Sequence, residues 1–231
     1  MKLSVLSCVF LTVFCVSAAA HLVRCWQGSP KSRYTKPLLV SSLLLFCAFA
    51  APSPNLLLLA ALFASWAGDV LLMPKGSRWF VAGGIAFLIS HALFLFVYLP
   101  HIGWAAAGWA APIAAAVYLA VSAAVMRAIW KETPGAMRVP MFLYLAANGT
   151  MNVFALSMLV GAPCPGAALA YAGAVLFFAS DAVLFLSRYY KKKDRIPRRG
   201  FLIMLTYIAG EALIAFGVLL LENGARFGAG G

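Results

Sequence analysis

Leu56-Leu57-Leu58-Leu59-Ala60-Ala61-Leu62-Phe63-Ala64-Ser65-Trp66-Ala67-Gly68-Asp69-Val70-Leu71-Leu72-Met73 is an apolar run of 18 residues that carries one charge. Runs of roughly 17–25 such residues are long enough to cross a hydrocarbon core of about 30 Å as a helix. Seven more lie around it, near 3–22, 37–51, 80–99, 105–128, 139–160, 167–187 and 201–221. The expected fold is therefore all-α, a polytopic membrane bundle of about eight transmembrane helices forming a single domain over 1–231. Residues are 64% hydrophobic and 10% charged, and the mean hydropathy is +0.94. A soluble domain needs a far more polar surface than this.

Lys and Arg punctuate the spans unevenly. Of 18, 16 fall at four connections: Arg24 to Lys36, Lys75 with Arg78, Arg127 to Arg138, and Arg188 to Arg199. The alternate connections 52–55, 100–103 and 161–166 have none. By the positive-inside rule the basic loops are cytoplasmic and both termini lie on the opposite side. This pattern also accounts for the net charge of +12 without nucleic acid as a partner, because the cations are dispersed between spans rather than gathered on one face. Lys2, the first apolar run and Ser17-Ala18-Ala19-Ala20 resemble a cleavable signal peptide. Cleavage there would put the following basic stretch on the outer face, against the charge rule. The five cysteines are scattered, with no CxxC or metal-ligand spacing, so neither a disulfide framework nor a metal is expected.

Asp69 has a counterpart in Phe178-Ala179-Ser180-Asp181-Ala182-Val183-Leu184. A carboxylate at bilayer depth costs about 2.5–3.5 kcal/mol even on a mild scale, and marks a candidate functional site. Both acids lie 14 positions from the outer ends of their spans, about 21 Å down at 1.5 Å per residue. They are expected to be level, in the half of the membrane next to the basic loops. His91 and Glu211 lie somewhat nearer the midplane, and Tyr144, Asn148 and Asn152 fall at i, i+4 and i+8 on one helical face. Tyr207 and Glu211 are also one turn apart. No Lys or Arg within the expected spans neutralises either aspartate. Burial disfavours the charged form of each, and two such groups in one site can separate into a protonated acid and an ionised base. That pair suits proton donation coupled to activation of water. A cavity on the basic-loop side of a membrane suggests an amphiphilic substrate, its head near the cations and its chain among Leu, Phe and Ala.

Other motifs are absent or misplaced. Asn148-Gly149-Thr150 is a glycosylation sequon in mid-span, with no loop to present it. There is no GxSxG elbow, HExxH or phosphate-binding glycine loop. Ala67-Gly68-Asp69 matches part of the intramembrane aspartyl protease signature, but Trp66 replaces its first glycine.

Lys36-Pro37, Gly68-Asp69 with Leu72, Gly83 with Phe87 and His91, Ser180-Asp181 and Thr206-Tyr207, in this order across eight spans, resemble the YhhN-like lysoplasmalogenase family of multi-pass membrane hydrolases. The resemblance implies hydrolysis of the vinyl ether bond of lysoplasmalogens, giving a fatty aldehyde and glycerophosphoethanolamine or glycerophosphocholine, with no cofactor. It implies catalytic roles for Asp69 and Asp181, leaving open which is the acid. His91, Tyr207 and Lys36 become supporting residues, with Tyr144, Asn148 and Asn152 also candidates for substrate binding. One departure is Glu211, which stands where the family usually carries Gln after Tyr-x-x-Ala. The expected partners are a lysophospholipid substrate and membrane lipids. The oligomeric state is left open. A proton-coupled transporter of lipids or small molecules is the alternative, because membrane carboxylates also serve as proton relays. The two halves of the chain repeat too weakly to favour it.

Overall fold

The structure, a computed structural model, describes residues 4–192, 194 and 196–228, with side chains through 223. Lys2 and Leu3 of the first span, and Lys193 and Arg195 of the last basic loop, lie outside the described residues. The elements are α1 (Val5–Trp26), α2 (Ser32–Ala50), α3 (Leu56–Leu71), α4 (Ser77–Tyr98), a single 3-10 turn (Leu99–His101), a short α5 (Trp104–Ala107), α6 (Ala110–Ile129), α7 (Gly135–Gly161), α8 (Pro165–Tyr189) and α9 (Arg199–Gly228). Among the described residues there is no strand.

Local chemistry sets the starts of several helices. Ser4 and Asn55 cap α1 and α3, each accepting a backbone N–H three residues on, at 3.1 and 3.0 Å. Pro165 occupies the first position of α8, where a missing N–H costs nothing. Among the described residues eight helices have 16 residues or more, and six of these are long and apolar enough to cross a membrane by themselves. The other two are α2 and α3. With 16 residues, α3 is about 24 Å long, and α2 begins at Ser32, taking Arg33 and Lys36 into the helix. The fifth expected span is interrupted, because the 3-10 turn and α5 precede α6.

Seven helices close a ring in the order α1, α2, α3, α4, α7, α8, α9, with α6 outside against α7 and α8. The helix ends that flank the basic connections meet at one end of this ring, where Trp26 packs on Phe201, Arg188 lies over Phe80, and Phe80 and Met137 line one cleft. α1 is built into it: Trp26 meets the Phe201 ring edge-on at 5.1 Å and His21 Nδ1 lies 2.9 Å from Thr35 Oγ1. The tightest seam joins α8 to α9. A Cβ on Gly173 would meet the Gly210 carbonyl oxygen at 2.6 Å, and one on Gly217 would meet that of Gly166 at 2.6 Å. These pairs are spaced seven residues apart on both helices, so two turns of backbone lie in direct contact, as small residues permit in membranes.

Gly210→Val is expected to destabilise the bundle by about 1–3 kcal/mol, the usual cost of overpacking. Its Cβ would meet the Gly173 carbonyl oxygen at 2.9 Å and the Phe177 nitrogen at 3.0 Å, both backbone atoms that cannot rotate away. The apparent melting temperature in detergent measures this, and an unchanged value contradicts the close seam.

Candidate functional site

Asp69 sits in the last turn of α3 and is 1% exposed. Its neighbour Gly68 lets α4 approach, since a Cβ there would meet the Phe87 ring at 2.6 Å. Lys36 Nζ lies 3.0 Å from Asp69 Oδ1, and Tyr207 donates its hydroxyl to Oδ2 at 2.8 Å. The expectation that no cation in the spans neutralises an aspartate is therefore corrected for Asp69. The reason is the early start of α2, which places Lys36 inside the helix, one residue before Pro37. The lysine side chain keeps 18% exposure, as a long chain does when its stem lies along apolar surface.

Asp181, on α8, is 5% exposed and has no such partner. Tyr144 and Asn148 of α7 both donate to its Oδ2, at 2.9 and 2.8 Å. Oδ1 accepts no hydrogen bond from the described residues and is not among the sealed polar atoms. Asn152 extends the row by donating to the Asn148 side-chain oxygen at 3.1 Å, and Tyr118 of α6 donates to Asn152 at 3.0 Å. The i, i+4, i+8 face of α7 thus carries two neutral donors to one carboxyl oxygen, Tyr144 and Asn148, with Asn152 behind them. It also explains the sequon, whose Asn148 is fully buried. Tyr118 was not among the sequence candidates, because a lone tyrosine in an Ala-rich run has no periodic partner on its own helix.

His91 Nε2 is 3.6 Å from Asp181 Oδ2, which is contact rather than a hydrogen bond. The imidazole packs edge-on against Phe177 at 4.8 Å and Tyr144 at 5.4 Å between centroids. Phe177 in turn meets Tyr207 at 5.4 Å, and Phe87 meets both. An aromatic layer therefore joins the Asp69 and Asp181 networks. Glu211 lies in the same interior at 1% exposure, within electrostatic reach of Asp69 and Asp181 and close to Ser65. Neither of its carboxyl oxygens meets hydrogen-bond geometry, and Ser65 is engaged with Ser90 at 2.7 Å. Among the described residues no three His, Cys, Asp or Glu side chains converge to hold a metal ion.

A cleft of about 310 Å³ opens between α4 and α7 at the basic-loop end, closed behind by Leu72, just past the end of α3, and Phe185 of α8. Neither aspartate lines it, although each is close. Tyr144, which bonds Asp181, forms part of its wall, as does Phe87, which packs on the Tyr207 that bonds Asp69. The walls are otherwise apolar.

Comparison with known proteins agrees with a membrane bundle. The chain is 28% identical over 204 residues, 87% of its length and 93% of theirs, to proteins named "Uncharacterized membrane protein YhhN" from Escherichia coli O6:H1, Escherichia coli O157:H7 and Shigella flexneri. No solved structure matches it. Residues 31–218, from the start of the helix that carries Lys36 to well past Glu211, match the YhhN family, and the chain belongs to that family.

Proposed function

We propose that this chain is a membrane hydrolase that cleaves the vinyl ether bond of lysoplasmalogens to a fatty aldehyde and a glycerophosphoethanolamine or glycerophosphocholine. The observation that carries this reading is the asymmetry of the two acids. Asp69 is paired with a cation, whereas Asp181 receives only neutral donors, both on one oxygen. An opposite charge favours the ionised form of a carboxyl group, and its absence in an apolar interior favours the neutral one. Asp181 is thus the acid, with its proton on Oδ1, the oxygen that no donor occupies.

An enol ether is cleaved by protonation at the carbon remote from oxygen. Asp181 gives its proton to that carbon, the alkene π electrons form the new C–H bond, and the carbon attached to oxygen is left as an oxocarbenium-like cation. Asp69 accepts a proton from water as the water oxygen bonds to the cationic carbon. As the C–O bond to the glycerol breaks, the hemiacetal hydroxyl returns a proton to Asp181 and Asp69 gives the proton it took from water to the departing glycerol oxygen, so aldehyde and alcohol leave, both acids are restored and one water is consumed per turnover. Tyr144 and Asn148 orient Asp181, Lys36 and Tyr207 hold Asp69, and His91 packs against the acid. The reading puts the basic loops and the polar head of the substrate on the cytoplasmic side.

The test compares a vinyl ether lysophospholipid with its saturated ether analogue, on purified protein of verified fold, with fatty aldehyde as the readout. Aldehyde is expected from the first alone, since a saturated ether cannot be protonated to an oxocarbenium ion. Failure to release aldehyde from the vinyl ether removes the assignment.

A further inference from the structure

Adjacent glycines on α4 differ in what they face. A Cβ on Gly83 would meet the Leu72 side chain at 2.7 Å and the Gly68 carbonyl oxygen at 3.2 Å, whereas one on Gly84 would meet nothing within 4 Å. Gly83 lets α4 close on α3, and Gly84 leaves bare a part of the cleft between α4 and α7. The rims of that cleft are on the outer surface of the bundle: Ile85 and Leu143 keep 53% and 59% exposure. Its inner wall holds Tyr144, bonded to Asp181. At its basic end the Arg188 guanidinium lies over the Phe80 ring, 4.0 Å from the centroid. Arg188, Arg78 and Lys75 are all exposed there.

We propose that this cleft is a lateral portal and hydrocarbon subsite for one single-chain phospholipid, which enters between α4 and α7 from the surrounding bilayer with its phosphate on Arg188. A hydrocarbon chain suits the apolar walls, and an anionic head suits the cationic mouth. The cleft volume of about 310 Å³ is at the small end of the roughly 300–1,000 Å³ of small-molecule sites. It takes the head-proximal part of one chain, the remainder running out past Ile85 and Leu143 into lipid. Arg188 donates through Nε to the Tyr189 hydroxyl at 3.1 Å, a bond that does not use its terminal nitrogens. Spacing supports the same placement. Asp181 and Arg188 are seven positions apart on α8, about 10 Å. In an alkenyl glycerophospholipid seven bonds separate phosphorus from the carbon to be protonated, about 8 Å when extended. A phosphate on Arg188 therefore brings that carbon level with Asp181 along α8, across Tyr144 of the cleft wall. This last step rests on the hydrolase reading, while the portal itself does not.

The experiment uses a saturated ether lysophospholipid with a diazirine in its chain, which the proposed reaction cannot cleave, photolysed with the full-length protein in detergent. Label is expected on residues 80–88 and 137–144, and to be displaced by unlabelled lysophospholipid more effectively than by a neutral monoether of glycerol. Gly84→Trp fills the cleft and should lower labelling at least about tenfold, one decade of affinity, while Gly84→Ala stays within about twofold. Arg188→Gln should erase the preference for the phosphorylated competitor. Label spread evenly over outer faces such as those of α1 and α6 overturns the portal, and so does label indifferent to competitors. Should Gly84→Trp fail to fold, the wild-type labelling map decides alone. Label in the cleft with no aldehyde from the vinyl ether keeps the portal and removes the hydrolase. Aldehyde with label elsewhere does the reverse.

Discussion

Asp181→Asn is expected to lower aldehyde release by about 10²–10⁴-fold, the usual contribution of general acid catalysis, while the apparent melting temperature stays near that of the wild type. Both halves of this expectation come from the same geometry. The two donors on Asp181 reach one oxygen, and an asparagine can present its amide oxygen to Tyr144 and Asn148 in the same place. Among the described residues no Lys or Arg pairs with Asp181, so the substitution leaves none of them unpaired. What disappears is the acidic proton on the other oxygen. A large fall in stability would show that Asp181 holds the bundle together. Retained turnover in a folded variant would show that the proton comes from elsewhere, with Glu211 the first group to examine.

Lys36→Met is expected to behave differently, costing about 3 kcal/mol of stability as well as activity. Removing one partner of a buried ion pair leaves the other charge uncompensated, a loss of roughly 3–5 kcal/mol in enclosed sites. The lower end applies because the lysine keeps 18% exposure. Lys36→Met with Asp69→Leu should recover most of that stability, since an apolar pair of similar volume replaces the charges. It should not recover aldehyde release, because the group proposed to take the proton from water is gone. Melting temperature and turnover measured on the single and double variants separate these effects. Recovery of activity in the double variant would remove Asp69 from the reaction.

The helical class and the membrane setting were legible because they depend on composition and on run length, which are one-dimensional properties. The two aspartates were legible for a related reason, as an ionisable group in an apolar run is costly wherever the helix is placed. The face of α7 carrying Tyr144, Asn148 and Asn152 could also be read, since helical periodicity fixes which side chains share a side. Lys36 was harder to interpret. An apolar-run criterion starts the second span at Pro37, yet Pro37 is the sixth residue of α2, and its carbonyl is bonded by Trp66 Nε1 at 3.1 Å and Ser41 at 2.7 Å. A cation that reads as a loop charge is thereby an internal counter-ion.

By itself the sequence determined a multi-helix membrane bundle, acids within its third and seventh long helices, and cations gathered at one end, because transfer free energy and helix periodicity act along the chain. Only tertiary structure decided how the acids differ. Lys36 and Tyr207 reach Asp69, while Tyr144 and Asn148 reach Asp181. Which helices are neighbours depends on close approaches such as Gly173 to Gly210 and Gly68 to Phe87. Those contacts depend on the shapes of two surfaces meeting in space, which no single segment of the chain encodes.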